Sequence, residues 1–400
     1  MEDSWEDSYP IYHEVVEIRT MPLYSDGEEE REILLSWEAI LPDELLQKVL
    51  SLLPVANIIK LSIVCKRWYE VVHSSPPLSW GMMAPQKPLL FRSFFNDDAF
   101  SGSVYDPCLL RWYNFDLPHL EKSMRHTSSS CGLVCLMNPD DGNRLLVGNP
   151  IKRDWKLLPQ VPGGSSPQFN ALALSFDRRT CSYTVVVAKC SHTLLPGNSD
   201  QWHLSVHIYE STTKSWATPF TQDIGFWMGS NEAVICNGVL YYFMRPHPVQ
   251  HPHLVAFHLA KPPSTTESLI QESIPVPFDL TCAGLINLSN KLVMVGRMAR
   301  PRRGVVILEL EDKTWREVSH MPICAYMPFD IENFICCGAS DFLFVHSSVW
   351  PELLTLDMRQ KVRTWSSQLG PWPHFYTKSL EIRSLYNCGF CFEPRLDVSS

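Results

Sequence analysis

The stretch that decides the fold runs from Gly132-Leu133-Val134-Cys135 through Val147-Gly148-Asn149 to Trp155. An apolar strand opens beside a glycine, a second strand follows, an amide residue starts a polar turn, and a tryptophan begins the returning strand. The pattern recurs. Val104-Tyr105-Asp106 leads to Trp112 and Ile208-Tyr209-Glu210 leads to Trp216, each with the acidic or amide residue six positions before the tryptophan. Looser copies place Asp312 three before Trp315 and Asp357 eight before Trp365. Strands of the first type also open at Gly238-Val239-Leu240-Tyr241, Lys291-Leu292-Val293-Met294 and Asp341-Phe342-Leu343-Phe344. The interval to the tryptophan is 23 residues from Gly132, 25 from Asn290 and 26 from Ala339. From Cys181 to Trp216 it is 35, the excess being a polar insertion at about Ser191 to Asp200. The unit at Gly238 has no tryptophan, and Phe257 is expected in its place.

A further apolar segment precedes most units, as in Ala171-Leu172-Ala173-Leu174, Ala233-Val234-Ile235-Cys236, Leu285-Ile286 and Phe334-Ile335-Cys336-Cys337. Four strands per unit and a period of roughly 45 residues predict the blades of a β-propeller, in which each blade covers its neighbours. Six blades fit residues 80–400, with five or seven as alternatives. The first unit, Leu89-Leu90-Phe91 to Trp112, lacks an opening strand, while Leu385 to Phe392 is a strand too many. The chain end is therefore expected to complete the first blade and remove its open edge. A β-sandwich with long loops is the alternative fold, but sandwiches do not repeat at this period.

Residues 37–73 alone show sustained helical periodicity. Leu41, Leu45, Leu46, Val49, Leu50 and Leu53 recur at three- and four-residue steps, with Pro42 suited to a first helical position and Asp43 and Glu44 at the positive end of the dipole. Pro54 breaks this helix and can start the next, whose apolar set Ile58, Leu61, Val64 and Cys65 runs on toward Trp68, Val71 and Val72. Three short helices in so few residues cannot form a self-sufficient core. They either cap the larger domain or are completed by a partner.

Charge separates a third region. Residues 1–40 hold 12 Asp/Glu and 2 Lys/Arg, and with a net charge of −9 for all 400 residues, residues 41–400 sum to +1. The acidic start, residues 1–36, is expected to be a disordered leader. It is neither a signal nor a transit peptide, which need a basic start. No apolar run is long enough to cross a membrane, since the best, Val49 to Ile59, is cut by Pro54. The 13 scattered cysteines suit buried free thiols in a reducing compartment, so the expected setting is a soluble chain of the nucleus or cytoplasm.

The helical string carries a resemblance. Leu41-Pro42-Asp43-Glu44-Leu45-Leu46, then Val49-Leu50-Ser51-Leu52-Leu53-Pro54 and Val64-Cys65-Lys66-Arg67-Trp68, resembles an F-box. The repeats that follow resemble the kelch-type propellers found downstream of F-boxes in plant proteins. They depart from that family's pattern in lacking a glycine doublet in the second strands, where Cys131-Gly132 and Asn237-Gly238 stand instead. The resemblance implies a mainly β protein with an F-box at 37–79 and a kelch-like propeller at 80–400. It further implies docking of the F-box on a Skp1-like adaptor, and through it on the cullin and RING subunits of a ubiquitin ligase. The adaptor-binding residues so implied are Leu41, Pro42, Leu45, Leu46, Val49, Leu50, Leu53, Pro54, Ile58, Leu61, Val64, Cys65 and Trp68.

Little in the sequence suggests chemistry. No phosphate-binding glycine loop, metalloprotease helix or Gly-x-Ser-x-Gly elbow occurs, and no cofactor is expected. Cys388 and Cys391, with Cys131 and Cys135, have the spacing of a zinc site, but residues three apart in a strand point to opposite faces. His247, His251, His253 and His258 fall in a proline-rich segment that reads as a surface loop. Arg297, Arg300, Arg302 and Arg303 form the densest basic run of the large domain. They are the candidate target-binding loop, suited to an acidic or phosphorylated segment, with a solvated loop and an import signal as the other readings. Near-neutrality of residues 41–400 speaks against nucleic acid. The expected function is that of a non-catalytic substrate receptor, with a non-degradative scaffold or a propeller enzyme as alternatives.

Overall fold

The structure is a computed structural model and describes residues 41–73, 86–94, 101–117, 123–138, 142–163, 167–195, 199–247, 251–263, 265–277, 280–298, 304–322, 334–347, 352–360, 365–369 and 386–400. The acidic leader expected at 1–36 lies outside these residues. Three helices, α1 (Asp43–Ser51), α2 (Val55–Ser62) and α3 (Lys66–His73), precede six four-stranded antiparallel sheets. Blade 1 holds β1 (Leu89–Phe94), β2 (Ser101–Asp106) and β3 (Arg111–Asp116). Blade 2 holds β4 (His126–Ser130), β5 (Leu133–Met137), β6 (Leu145–Asn149) and β7 (Asp154–Leu157). Blade 3 holds β8 (Phe169–Asp177), β9 (Ser182–Leu195), β10 (Ser199–Glu210) and β11 (Ser215–Gly225). Blade 4 holds β12 (Trp227–Cys236), β13 (Val239–Pro246), β14 (His253–His258) and, after the short helix α4 (Thr266–Gln271), β15 (Ile274–Pro275). Blade 5 holds β16 (Leu280–Leu288), β17 (Lys291–Met298), β18 (Gly304–Glu311) and β19 (Thr314–Pro322). Blade 6 holds β20 (Phe334–Ala339), β21 (Phe342–Ser347), β22 (Glu352–Asp357) and β23 (Trp365–Leu369), and β24 (Tyr386–Phe392) returns to blade 1.

The first strands β24, β4, β8, β12, β16 and β20 each touch the first strands of both neighbours, which closes a ring around a central channel. This is a six-bladed propeller. As expected, the late strand completes the first blade: β24 pairs antiparallel with β1 from Leu89 opposite Phe392 to Phe94 opposite Tyr386. Phe91 and Phe390 meet with ring centroids 4.9 Å apart.

The continuous apolar runs have a direct cause. Each middle strand is buried on both faces, so it reads as a run instead of alternating with polar residues. In β5, Leu133, Cys135 and Met137 pack toward blade 3 while Val134 and Leu136 pack toward blade 1. Similar clusters fill the other interfaces. Polar clips join the first strands: Ser128 and Ser130 hydroxyls accept from the backbone N–H groups of Leu174 (2.9 Å) and Phe176 (3.1 Å), and Asn287 donates to the Ile235 carbonyl at 3.0 Å.

In two of the three close copies the side chain six before the tryptophan makes the turn, whereas the Glu210 carboxylate accepts from the Thr184 hydroxyl at 3.0 Å. Asp106 Oδ1 accepts from the N–H groups of Cys108 (2.7 Å) and Leu109 (3.2 Å), and Asn149 Oδ1 accepts from Ile151 (3.0 Å) and Lys152 (3.4 Å). The tryptophan then stands opposite the third strand, Trp112 against Tyr105 and Trp216 against Tyr209, with centroids 5.1 and 5.3 Å apart. Trp155, Trp315 and Trp365 hold the same register.

One expectation needs correction. Phe257 does not replace the missing tryptophan: it lies in the third strand opposite Leu240, as Gly148 lies opposite Val134. The fourth strand of blade 4 starts only after α4, which has displaced the usual hairpin. The polar insertion at Ser191 to Asp200 takes the form of a lengthened β9–β10 hairpin, which pairs as far as Leu195 opposite Ser199. Ten of the cysteines, Cys135, Cys190 and Cys391 among them, are free thiols.

Connections between second and third strands, and between blades, fall on one face of the ring. The other face carries the tight turns, where Cys131, Arg153, Lys214, Asn237 and Ser340 adopt positive φ. We call it the turn face.

Two buried imidazoles make the ring acid-sensitive. His207 is held neutral between Ser205 Oγ (3.0 Å) and Thr218 Oγ1 (2.9 Å), and burial, with the charge of nearby Lys189, pushes its pKa down to about 4. Burial, with the charge of Arg92, pushes His346 down to about 3. Unfolded imidazoles titrate near pH 6.5, so below that value the unfolded state takes up protons that the folded state refuses. Stability present above pH 6.5 is lost as pH falls toward 4, by about 3 kcal/mol for His207 alone. Urea titrations followed by tryptophan fluorescence should show this loss, reduced in His207→Asn. Phe390→Ala, which empties the closing strand's contact with Phe91, should cost about 3–5 kcal/mol in the same assay.

Candidate functional site

The helical module is built by its prolines. Pro42 is not the first helical residue but the cap of α1, its carbonyl accepting from the N–H groups of Leu45 and Leu46, both at 3.0 Å. Pro54 caps α2 in the same way, accepting from Asn57 (2.9 Å) and Ile58 (3.1 Å). Arg67 of α3 reaches back to the start of α1, donating from Nε to Asp43 Oδ1 at 2.9 Å and from Nη2 to the Leu41 carbonyl. Gln86, just before β1, accepts from Val55 N–H at 3.1 Å and donates to the Leu53 carbonyl at 3.0 Å. The Lys60 ammonium lies 5.1 Å from the ring centroid of Tyr113 in β3. These contacts seat the module on the turn face at blades 1 and 2.

The structure divides the thirteen residues singled out in the sequence. Leu46, Leu50 and Ile58 are buried and pack with Val55, Val71, Val72 and Leu396. They form the module's own core and present nothing to a partner, which corrects their assignment to the docking surface. Leu41, Leu53, Leu61 and Trp68 pack half-buried against that core, Pro54 and Cys65 are half-buried, and Pro42 is exposed. Leu45, Val49 and Val64 face solvent, with exposures of 50%, 50% and 61%. Three residues beside them were missed: Leu52 (66%), Ile63 (61%) and Tyr69 (53%). Their signal was present, since Leu52 and Ile63 sit at helix ends where an apolar side chain has no intrahelical reason to be. Monomeric surfaces seldom gather apolar side chains in this density, and such a patch marks an interaction site.

The ring offers less chemistry. Its channel encloses about 840 Å³ and is lined by the first strands. Glu232 opens onto the channel's solvent but is surrounded by protein, and that burial raises its carboxyl above the ordinary range, opposed by a backbone N–H from Leu285. The suggested zinc cysteines are scattered: Cys391 packs between blades 6 and 1, Cys135 between blades 2 and 3, and Cys131 sits in a turn beside the Arg178 and Arg395 guanidiniums. Among the described residues no group of three His, Cys, Asp or Glu could hold a metal ion. The histidine segment is also split, His253 starting β14 on the far face and His258 ending it on the turn face. Arg297 is half-buried near the end of β17, and Arg300, Arg302 and Arg303 lie outside the described residues. The connection that holds them joins Met298 to Gly304 on the face away from the module. On that same face Phe226 is 56% exposed and stacks on Trp227 at 6.2 Å, with Trp227 edge-on to His253 at 5.3 Å.

Comparison with known proteins accords with this geometry. The F-box domain model matches residues 39–80, and the model described as F-box protein At3g26010-like, beta-propeller, matches residues 109–281. F-box/kelch-repeat protein At3g61590 of Arabidopsis thaliana is 37% identical over 421 residues, covering 100% of this chain and 99% of its own. The chain belongs to the F-box/kelch-repeat family. Another Arabidopsis thaliana relative, F-box/kelch-repeat protein At5g43190, is 25% identical and covers 90% of this chain and 87% of its own. SKP1-interacting partner 15 of the same plant is 28% identical over 158 residues, 34% of this chain and 42% of its own.

The division of the F-box into core and surface can be measured. Leu50→Ala should destabilise the module by about 2–5 kcal/mol, whereas Leu52→Ala should stay within about 0.5 kcal/mol. Hydrogen exchange across residues 43–73 reads both.

Proposed function

We propose that the protein is the substrate-recognition subunit of a Skp1–cullin–F-box ubiquitin ligase. The observation that carries this reading is the exposed set Leu45, Val49, Leu52, Ile63, Val64 and Tyr69 on a module whose interior is already filled by other side chains. Burying even a few of them against a partner's helices would supply several kcal/mol, at about 1.5–3 kcal/mol per large side chain. The relative named SKP1-interacting partner 15 supports a Skp1-like adaptor as that partner.

The ring then has the task of holding a target. With the module on the turn face, the far face is left for capture, where Phe226 stands exposed and the arginine-bearing connection from Met298 to Gly304 emerges. Aromatic and arginine side chains are the residue types that dominate binding energy at interfaces. Bond chemistry belongs to the other subunits, and this chain acts by raising the local concentration of target lysines near the activated ubiquitin. The same reading places it in the nucleus or cytoplasm.

Co-purification of the full chain with a recombinant Skp1-type adaptor tests the reading. Leu52→Asp and Ile63→Asp should each weaken capture about tenfold or more, with the ring's thermal transition unchanged. Undiminished capture by both variants would sink the docking surface.

A further inference from the structure

Beyond Phe392 the chain crosses the turn face as residues 393–400, outside both the four-stranded sheets and the three helices. We propose that this segment is a strap that fixes the orientation of the adaptor-binding module on the ring, with Leu396 as its positioning residue.

Its ring side is held at many points. The Glu393 carboxylate accepts from Arg178 of blade 3 at 3.0 and 3.3 Å and from the Ser340 hydroxyl of blade 6 at 2.7 Å, so it spans the channel mouth. Arg395 pairs with Asp397 and donates to Cys131 Sγ at 3.1 Å. Asn149 Nδ2 donates to the carbonyls of Arg395 (2.8 Å) and Val398 (2.9 Å), while its Oδ1 shapes the blade-2 turn. The Ser400 N–H donates to Asp154 Oδ2 at 3.2 Å, and Val398 joins the apolar cluster between blades 2 and 3. Gly132 shows how closely the segment lies. A Cβ there would stand 2.9 Å from Arg395 Cβ and 3.1 Å from the Glu393 carbonyl, at a φ of +88° that itself favours glycine.

Between these attachments Leu396 enters the other core. It packs with Leu46 and Leu50 of α1, Val55 and Ile58 of α2, and Val71 and Val72 of α3, flanked by Ile151 from the blade-2 turn. One segment thus contributes Val398 to the ring and Leu396 to the module. The Gln86 hydrogen bonds, the Lys60–Tyr113 contact and Ile151 of the blade-2 turn also join the two units. Units within one chain move relative to one another unless an apolar interface holds them, and Leu396 beside Ile151 supplies the apolar part of the join. Its consequence for ubiquitin transfer rests on the proposed function: a fixed module holds the captured target at one distance from the ligase core.

Distance measurement on the full chain tests this directly, with fluorophores introduced through bio-orthogonal residues at the exposed positions Glu70 of α3 and Lys313 in the blade-5 turn. The wild type should give one narrow distribution. Leu396→Ala, and deletion of residues 394–400, should broaden it about twofold or more while the ring's melting transition stays in place, and Leu396→Met should restore it. The double variant Glu393→Gln/Val398→Ala weakens the ring side alone and leaves the module's core whole. It therefore carries the test even where Leu396→Ala unfolds the helices. A distribution that stays narrow in the deletion and in the double variant would overturn the strap. Failure of the wild type to capture the Skp1-type adaptor would instead overturn the proposed function and leave the strap standing.

Discussion

The pairing of Leu89–Phe94 with Tyr386–Phe392 is the constraint on which the architecture depends. A blade is stable because both its faces are covered, and a ring of blades meets that condition everywhere only when it closes. Here the closing contact is made within one sheet, between segments almost 300 residues apart in the chain. Phe390 and Phe392 supply apolar bulk toward blade 2, while Cys391 faces blade 6. Each neighbour thus receives a face it could not otherwise bury.

Much of this was legible in the sequence because the repeat has local causes. An Asp or Asn whose side chain caps its own turn, followed by an indole that lies across the third strand, leaves a spacing that can be read without knowing the fold. Blade 4 was misread because α4 replaces that hairpin, so Phe257, a third-strand residue, stood at a plausible distance from Gly238. The opening strand of blade 2, His126–Ser130, has no apolar run to announce it, since its hydroxyls serve as clips to blade 3.

The F-box was legible as a motif but not as a surface. Periodicity finds the apolar stripe that packs inward, and so it gathered Leu46, Leu50 and Ile58, which a partner cannot reach. Leu52, Ile63 and Tyr69 fall outside the stripe and carry the exposed patch. Distinguishing the two sets requires knowing that Leu396, from the other end of the chain, fills the module's core and leaves these side chains without an internal place.

That dependence on distant residues also sets an order of assembly. Contacts of high sequence separation form late, since the chain between them must first lose its freedom. Blades 2 to 6 are made of strands near in sequence and can form as each emerges, whereas blade 1 and the helical module both wait for residues 386–396. A chain still in synthesis therefore carries its F-box helices with an unfinished core until the segment that closes the ring has been made.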